Sequence, residues 1–156
     1  MGLGTRFIQT LKNWGGGGPV TAAEGNLQAS ADLLVADTLG CLLRSLRVGR
    51  TDGQTLDVNQ LRTKGDELCK RLTYLLEPLR VWEVDSEGET VQARSNPPDR
   101  QQDRIRYYEL QLCPPSTVEL LRFEKKKDST RTRIDMQLTY EQVEKLADDL
   151  QGVMVP

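Results

Sequence analysis

Hydrophobic residues change their spacing near Leu79. Before it they recur every three or four positions, as on one face of a helix; after it they alternate with polar residues, as on a half-buried strand. The chain therefore predicts a helical first half and a sheet in the second.

The sheet block is the clearer part. Leu79–Asp85 and Glu89–Ser95 alternate and are separated by Ser86-Glu87-Gly88, a hairpin signal. Arg104-Ile105-Arg106-Tyr107-Tyr108-Glu109-Leu110-Gln111-Leu112 is the most strand-like run. Val118–Lys125 and Thr130–Leu138 follow, joined by the basic turn Lys125-Lys126-Lys127-Asp128-Ser129. Short connections favour an antiparallel meander of about five strands with Arg104–Leu112 inside it. In that strand Tyr108, Leu110 and Leu112 are expected to face helices, and Ile105, Tyr107, Glu109 and Gln111 the other side.

Three helices are expected around this sheet. Thr21-Ala22-Ala23-Glu24 reads as a capping box opening a helix to about Arg47, with a start near Ser30 as the alternative and with Gly25 and Gly40 weakening it. Ala31, Leu34, Val35, Thr38, Leu42 and Leu46 would line one face, while Leu33, Leu39 and Leu43 fall outside it. A helix apolar on more than one side needs cover on more than one side. Either the sheet and the next helix sandwich it, or it pairs with a second copy, giving a homodimer through this first helix. The second helix follows an Asp57 cap, with Leu56 and Leu61 as a hydrophobic staple and Leu61, Gly65, Leu68, Leu72, Leu75 and Leu76 as its stripe, ending before Pro78. A last helix starts at the Thr139 cap with Gln142 as its partner, and buries Val143, Leu146, Ala147 and Leu150. Asp148 and Asp149, near its end, read as exposed bystanders. The fold class expected is α+β: two N-terminal helices, the meander, and a C-terminal helix packed on the sheet.

Ahead of this lies a short amphipathic segment. Phe7, Ile8, Leu11 and Trp14 share one helical face, Arg6 and Lys12 add positive charge, and Gly15-Gly16-Gly17-Gly18-Pro19 follows as a tether. Residues 1–20 are thus set apart from a single domain over 21–156. So short a helix needs a surface to fold against. That surface is the same domain, a sister subunit, another protein or an anionic membrane, with a disordered tail as the remaining reading. Arg6 stands where a myristoylation pattern wants Ser or Thr.

Composition narrows the chemistry. The chain has 156 residues, 37% hydrophobic and 28% charged, with a net charge of −2. That charge is too small to imply a nucleic-acid or membrane partner through the bulk field. The three cysteines (Cys41, Cys69, Cys113) are far apart and there is no histidine, which removes most zinc arrangements and every His-dependent triad. Isolated thiols fit a reducing compartment, no apolar run is long enough to span a bilayer, and Met1–Trp14 lacks a signal-peptide core. A cytoplasmic protein is expected. No strand is followed by a Gly-rich phosphate motif, and no catalytic residue, cofactor or metal ligand is called for.

The function expected is a non-enzymatic protein-binding or adaptor module working through its N-terminal peptide or its sheet. The alternative is nucleic-acid binding through the Lys125–Lys127 hairpin and the adjacent sheet face. The candidate binding residues are Phe7, Ile8, Leu11 and Trp14 on the peptide, Ile105 and Tyr107 on the central strand, and Arg122, Lys125, Lys126, Lys127, Arg131 and Arg133 around the basic turn. Against the alternative, Glu119, Glu124, Asp128 and Asp135 are interleaved with those cations, and the pI is near 5.3.

Overall fold

The computed structural model describes residues 2–153. It is α+β, with three α-helices against one antiparallel sheet: α1 (Leu3–Asn13), β1 (Gly18–Glu24), β2 (Leu27–Ala36), β3 (Gly40–Arg50), α2 (Val58–Arg71), β4 (Leu79–Asp85), β5 (Thr90–Ser95), β6 (Asp99–Arg100), β7 (Arg104–Cys113), β8 (Thr117–Lys126), β9 (Thr132–Ile134), β10 (Met136–Thr139) and α3 (Tyr140–Val153). Among the described residues no helix is long and apolar enough to cross a membrane.

The expected first helix over 21–47 is replaced by strands. Glu24 pairs with Leu27 across the two-residue turn Gly25-Asn26, where Gly25 takes φ +58°. A Gly-Asn pair is a hairpin signal, and it outweighs the apparent capping box at Thr21. Buried positions then alternate: Ala29, Ala31 and Leu33 on β2, Cys41 and Leu43 on β3. Two bulges disturb the period. Asp32 pairs with Ser45 but Leu33 with Leu43, leaving Arg44 extra; Val35 pairs with Leu42, leaving Leu34 extra. Each extra residue shifts the inward parity by one, so buried Leu43 and Leu46 fall three apart and mimic a helix. With no helix there, the homodimer expected through it loses its contact element.

The sheet order is β1-β2-β3-β8-β7-β5-β4, with β6 on β7, β9 on β8 and β10 on β3. These ten strands exceed the five expected, because 18–50 adds three, Asp99–Arg100 adds a two-residue strand between expected runs, and the run Thr130–Leu138 divides into β9 and β10. The meander holds for the second half: β4, β5, β7 and β8 are sequential neighbours. Helix α2 carries the chain from β3 to the far edge at β4, and the meander returns until β8 meets β3 over Leu46–Gly49. Beyond that seam the two strands part. The run Thr132–Thr139 bridges them, β9 pairing with β8 and β10 with β3 on either side of Asp135. Gly40 is required there, since the Leu138 carbonyl leaves no room for a β-carbon.

All three helices cover the same face of the sheet. Leu110, Leu112, Val118, Leu120, Leu46 and Val48 join Leu61, Leu68, Val143, Leu146 and Leu150 in one core. Helix α2 is capped by Asp57 and Gln60 in a reciprocal box. It stops at Arg71, sooner than its leucine stripe suggests, and a 3-10 turn follows over Thr73–Leu75. Helix α3 carries the expected box, with Gln142 N–H donating to Thr139 Oγ1 and Thr139 N–H to Gln142 Oε1. Helix α1 belongs to this core: Leu3, Phe7 and Leu11 are fully buried and Ile8 nearly so, against α3, β1 and β2.

Candidate interaction surface

Strand register assigns the other face. Directly opposed residues point the same way. Tyr107 pairs with Phe123, Glu109 with Leu121 and with Arg94, and Phe123 with Arg133. None of these belongs to the helix-covered core. Tyr107, Leu121 and Phe123 form a second, small cluster with Ile105 partly buried beside it.

No helix lies on this face among the described residues, yet its centre is dry. Glu109 has no exposed surface. It accepts from Arg94 Nε at 2.9 Å, Arg131 at 2.7 Å and Gln111 at 2.6 Å. The two guanidinium groups also roof the aromatics. Arg131 sits 3.9 Å above the Phe123 ring, and Arg94 is 5.3 Å from the Tyr107 ring and 5.2 Å from that of Trp82. Stacked arginines satisfy the carboxylate and shield the rings together, which is how an uncovered sheet face buries a charge. Trp82, the extra residue of a bulge on β4, stays 59% exposed at the rim.

The far end of the same face is apolar and open. Val35 and Leu42 oppose each other there, with Gln137 next to Leu42. Leu39 at the tip of the β2–β3 hairpin is 80% exposed, Val35 59% and Leu34 40%. A groove of about 640 Å³ runs beside them, lined by Val35, Leu39, Leu42 and Leu138 among others.

This tip is held in place. The Asp37 carboxylate accepts from the N–H groups of Leu39 (2.8 Å) and Gly40 (2.9 Å), and those two bonds hold its pKa below the ordinary carboxylate value. The Tyr140 hydroxyl donates to the Asp37 carbonyl at 2.7 Å, and Tyr140 N–H to the Leu39 carbonyl. The leucines are therefore presented by an ordered turn.

The residues singled out from sequence divide. Phe7, Ile8 and Leu11 are core. Trp14 is 43% exposed beside a separate groove between α1 and β1. Ile105 and Tyr107 lie on the uncovered face as expected, but Tyr107 is buried beneath arginine. Arg131 and Arg133 join them. Arg122 does not: it points to the helix side, pairs with Glu77 at 3.0 Å and stacks 4.2 Å over Tyr108. Lys125, Lys126 and Lys127 are exposed where β8 turns toward β9. The hairpin residues Leu34, Val35, Leu39 and Leu42 were read as helix faces; the surplus of leucine was the signal that they needed cover.

No protein-family model, curated protein or solved structure matches the chain. Among the described residues no group of three or more Cys, Asp or Glu is placed to hold a metal ion.

Proposed function

We propose that this chain is a non-enzymatic protein-binding module that holds its partner on the uncovered sheet face, anchored at the β2–β3 hairpin. The observation that supports this reading most is the concentration of Leu34, Val35 and Leu39 on an ordered turn beside an apolar groove. Exposed apolar groups clustered on one rigid element mark an interaction site; single ones do not. Of the two surfaces expected to dock a partner, the N-terminal peptide spends its apolar face in the core, which leaves the sheet. A second copy of the chain is one partner this reading admits.

The nucleic-acid reading keeps the exposed Lys125–Lys127 turn but loses its stacking platform. Tyr107 and Phe123 are each only 6% exposed and lie under guanidinium groups, so bases have no free ring to stack on.

The test is site-specific photo-crosslinking of the full chain in the cells that make it. A photoreactive residue at Leu39 or Val35 is expected to give a discrete protein adduct, and one at exposed Lys70 none. No adduct from either hairpin position, in a chain that remains folded, overturns the reading. Leu39→Asp should leave stability within about 0.5 kcal/mol, since the side chain is already in water, while abolishing adducts from Val35.

A further inference from the structure

We infer that the segment held on this face is acidic: a partner stretch whose apolar residues seat on the β2–β3 hairpin and whose carboxylates meet Arg133 and Lys125. The inference rests on the protein-binding reading and adds the chemistry of the partner.

It follows from charge placement. On the uncovered face, the central strands β3, β7 and β8 carry two carboxylates, and both are engaged. Glu109 is fully buried between Arg94 and Arg131, and Glu119 is bridged by Arg47 at 3.2 Å. One carboxylate shared by two guanidinium groups leaves a net positive charge there. Arg133, opposite Phe123, donates to the Arg44 carbonyl at 3.0 Å and has no carboxylate partner among the described residues. Lys125, opposite Ile105, has no ion pair among them either. The remaining acids of this face are Asp32 on β2, Glu83 and Asp85 on β4, and exposed Asp135 between β9 and β10. Asp85 is turned to the Glu87 and Gly88 N–H groups, and Asp135 pairs with neither Arg133 nor Lys125. A basic centre on a chain whose net charge is −2 is a local arrangement, and a bulk excess of cations does not account for it.

The apolar end and the basic centre adjoin, with exposed Asp135 between them. Leu42 and Gln137 face this side where β10 lies on β3, and Arg133 faces it on β9, four residues earlier in the same bridging run. Four residues of extended chain span roughly 13 Å, within reach of one bound segment. Arg133 itself is tied to β3 through Arg44, next to Leu43 and Leu42. Contacts of this exposed kind set specificity and encounter rate more than affinity. The hairpin would supply the anchor and the cations the choice of partner.

The experiment uses the isotope-labelled full chain and synthetic peptides, with amide shifts as the readout. One peptide carries a leucine pair followed by a run of glutamates; a second has lysines for the glutamates; a third has serines for the leucines. A short uridine oligonucleotide is the fourth probe. The first peptide is expected to move amides of the β2–β3 hairpin and of β8–β9, with affinity falling as salt rises. The double variant Lys125→Glu, Arg133→Glu should weaken it about tenfold with the rest of the spectrum unchanged. The milder Lys125→Gln, Arg133→Gln pair should lie between. The serine peptide should lose the hairpin shifts.

Equal or tighter binding of the lysine peptide overturns the acidic assignment and leaves the protein-binding reading intact. Shifts on the same residues by the oligonucleotide, at higher affinity than any peptide, overturn it in favour of nucleic acid. Sedimentation of the free chain as a dimer whose Leu39 cross-links to itself assigns the face to a second copy and also overturns it. Adducts at Leu39 in cells, with no peptide moving the face, sink the acidic segment alone.

Discussion

Asp148 caps a helix to which it does not belong. Its carboxylate, on α3, accepts the Gly4 N–H at 2.9 Å, across 144 residues of sequence. Helix α1 begins after Gly2, which has no side chain to cap it, so Asp148 fills the N-cap role and places negative charge at the positive end of the helix. The two helices approach so closely that a β-carbon on Gly4 would lie 2.6 Å from the Glu144 carbonyl.

Gly4→Ala should therefore cost about 1–3 kcal/mol through overpacking, and Asp148→Ala about 1 kcal/mol through the lost cap. Phe7→Ala, at a fully buried position, should cost about 3–5 kcal/mol. Urea denaturation monitored by Trp fluorescence measures all three. A Phe7 variant as stable as the parent would show that α1 is not part of the core.

Glu109→Ala should destabilise by about 2–3 kcal/mol, less than the roughly 3–5 kcal/mol for a fully buried pair, because Arg94 and Arg131 keep contact with water. The same change frees Arg131 from Phe123 and Tyr107. Binding of ANS, a dye that reports exposed apolar surface, to the folded variant is expected to rise. Paired substitutions of Glu109 and Arg131 should be non-additive in the denaturation free energy.

The hairpin tip should loosen in acid. The Asp37 carboxyl has its pKa lowered by the N–H of Gly40 and then of Leu39, so the folded value lies below the ordinary 3.8. A lowered carboxylate pKa contributes stability that is fully present above 3.8 and is lost as the pH falls through the folded value. The protection of the Leu39 and Gly40 amides against hydrogen exchange should be lost only in that acidic window. Asp37→Asn should shift little at neutral pH and should remove the acid transition.

The thiols should be slow. Burial pushes Cys41 up to about 11, with the nearby Asp37 charge adding to it, and Cys69 up to about 11, again by burial and then by Asp66. Against an ordinary 9.0 this leaves about a hundredfold less thiolate at a given pH. Disulfide reagents at mildly alkaline pH should label both slowly in the native chain and rapidly in urea. Fast native labelling of Cys41 would contradict the burial described here.

How much was legible in the chain depended on the distance over which each feature is decided. The capping boxes at Asp57 and Thr139 and the alternation of Arg104–Leu112 were all readable, because a cap or a pleat is settled within a few residues. Residues 21–47 were misread for a local reason too: two bulges restored a three-residue spacing inside a strand pair, while the Gly25-Asn26 turn that contradicts it was two residues long. The leucine surplus at 33–43 was visible even under the wrong secondary structure, since composition does not depend on how the chain is folded.

The buried fate of Phe7 and the exposed fate of Leu39 belong to a different class. Periodicity along Arg104–Leu112 put Tyr107 and Glu109 opposite the helix-facing residues, and the register confirms that side. Whether that side is wet or dry depends on Arg94 and Arg131, which reach Glu109 from 15 and 22 residues away in the sequence. Likewise Asp148 looks like an exposed acid at the wrong end of its own helix until α1 is packed beside it. Local pattern assigns each residue a face, because backbone geometry repeats along a segment. What covers a face is set by long-range packing, which carries no periodic trace in the sequence.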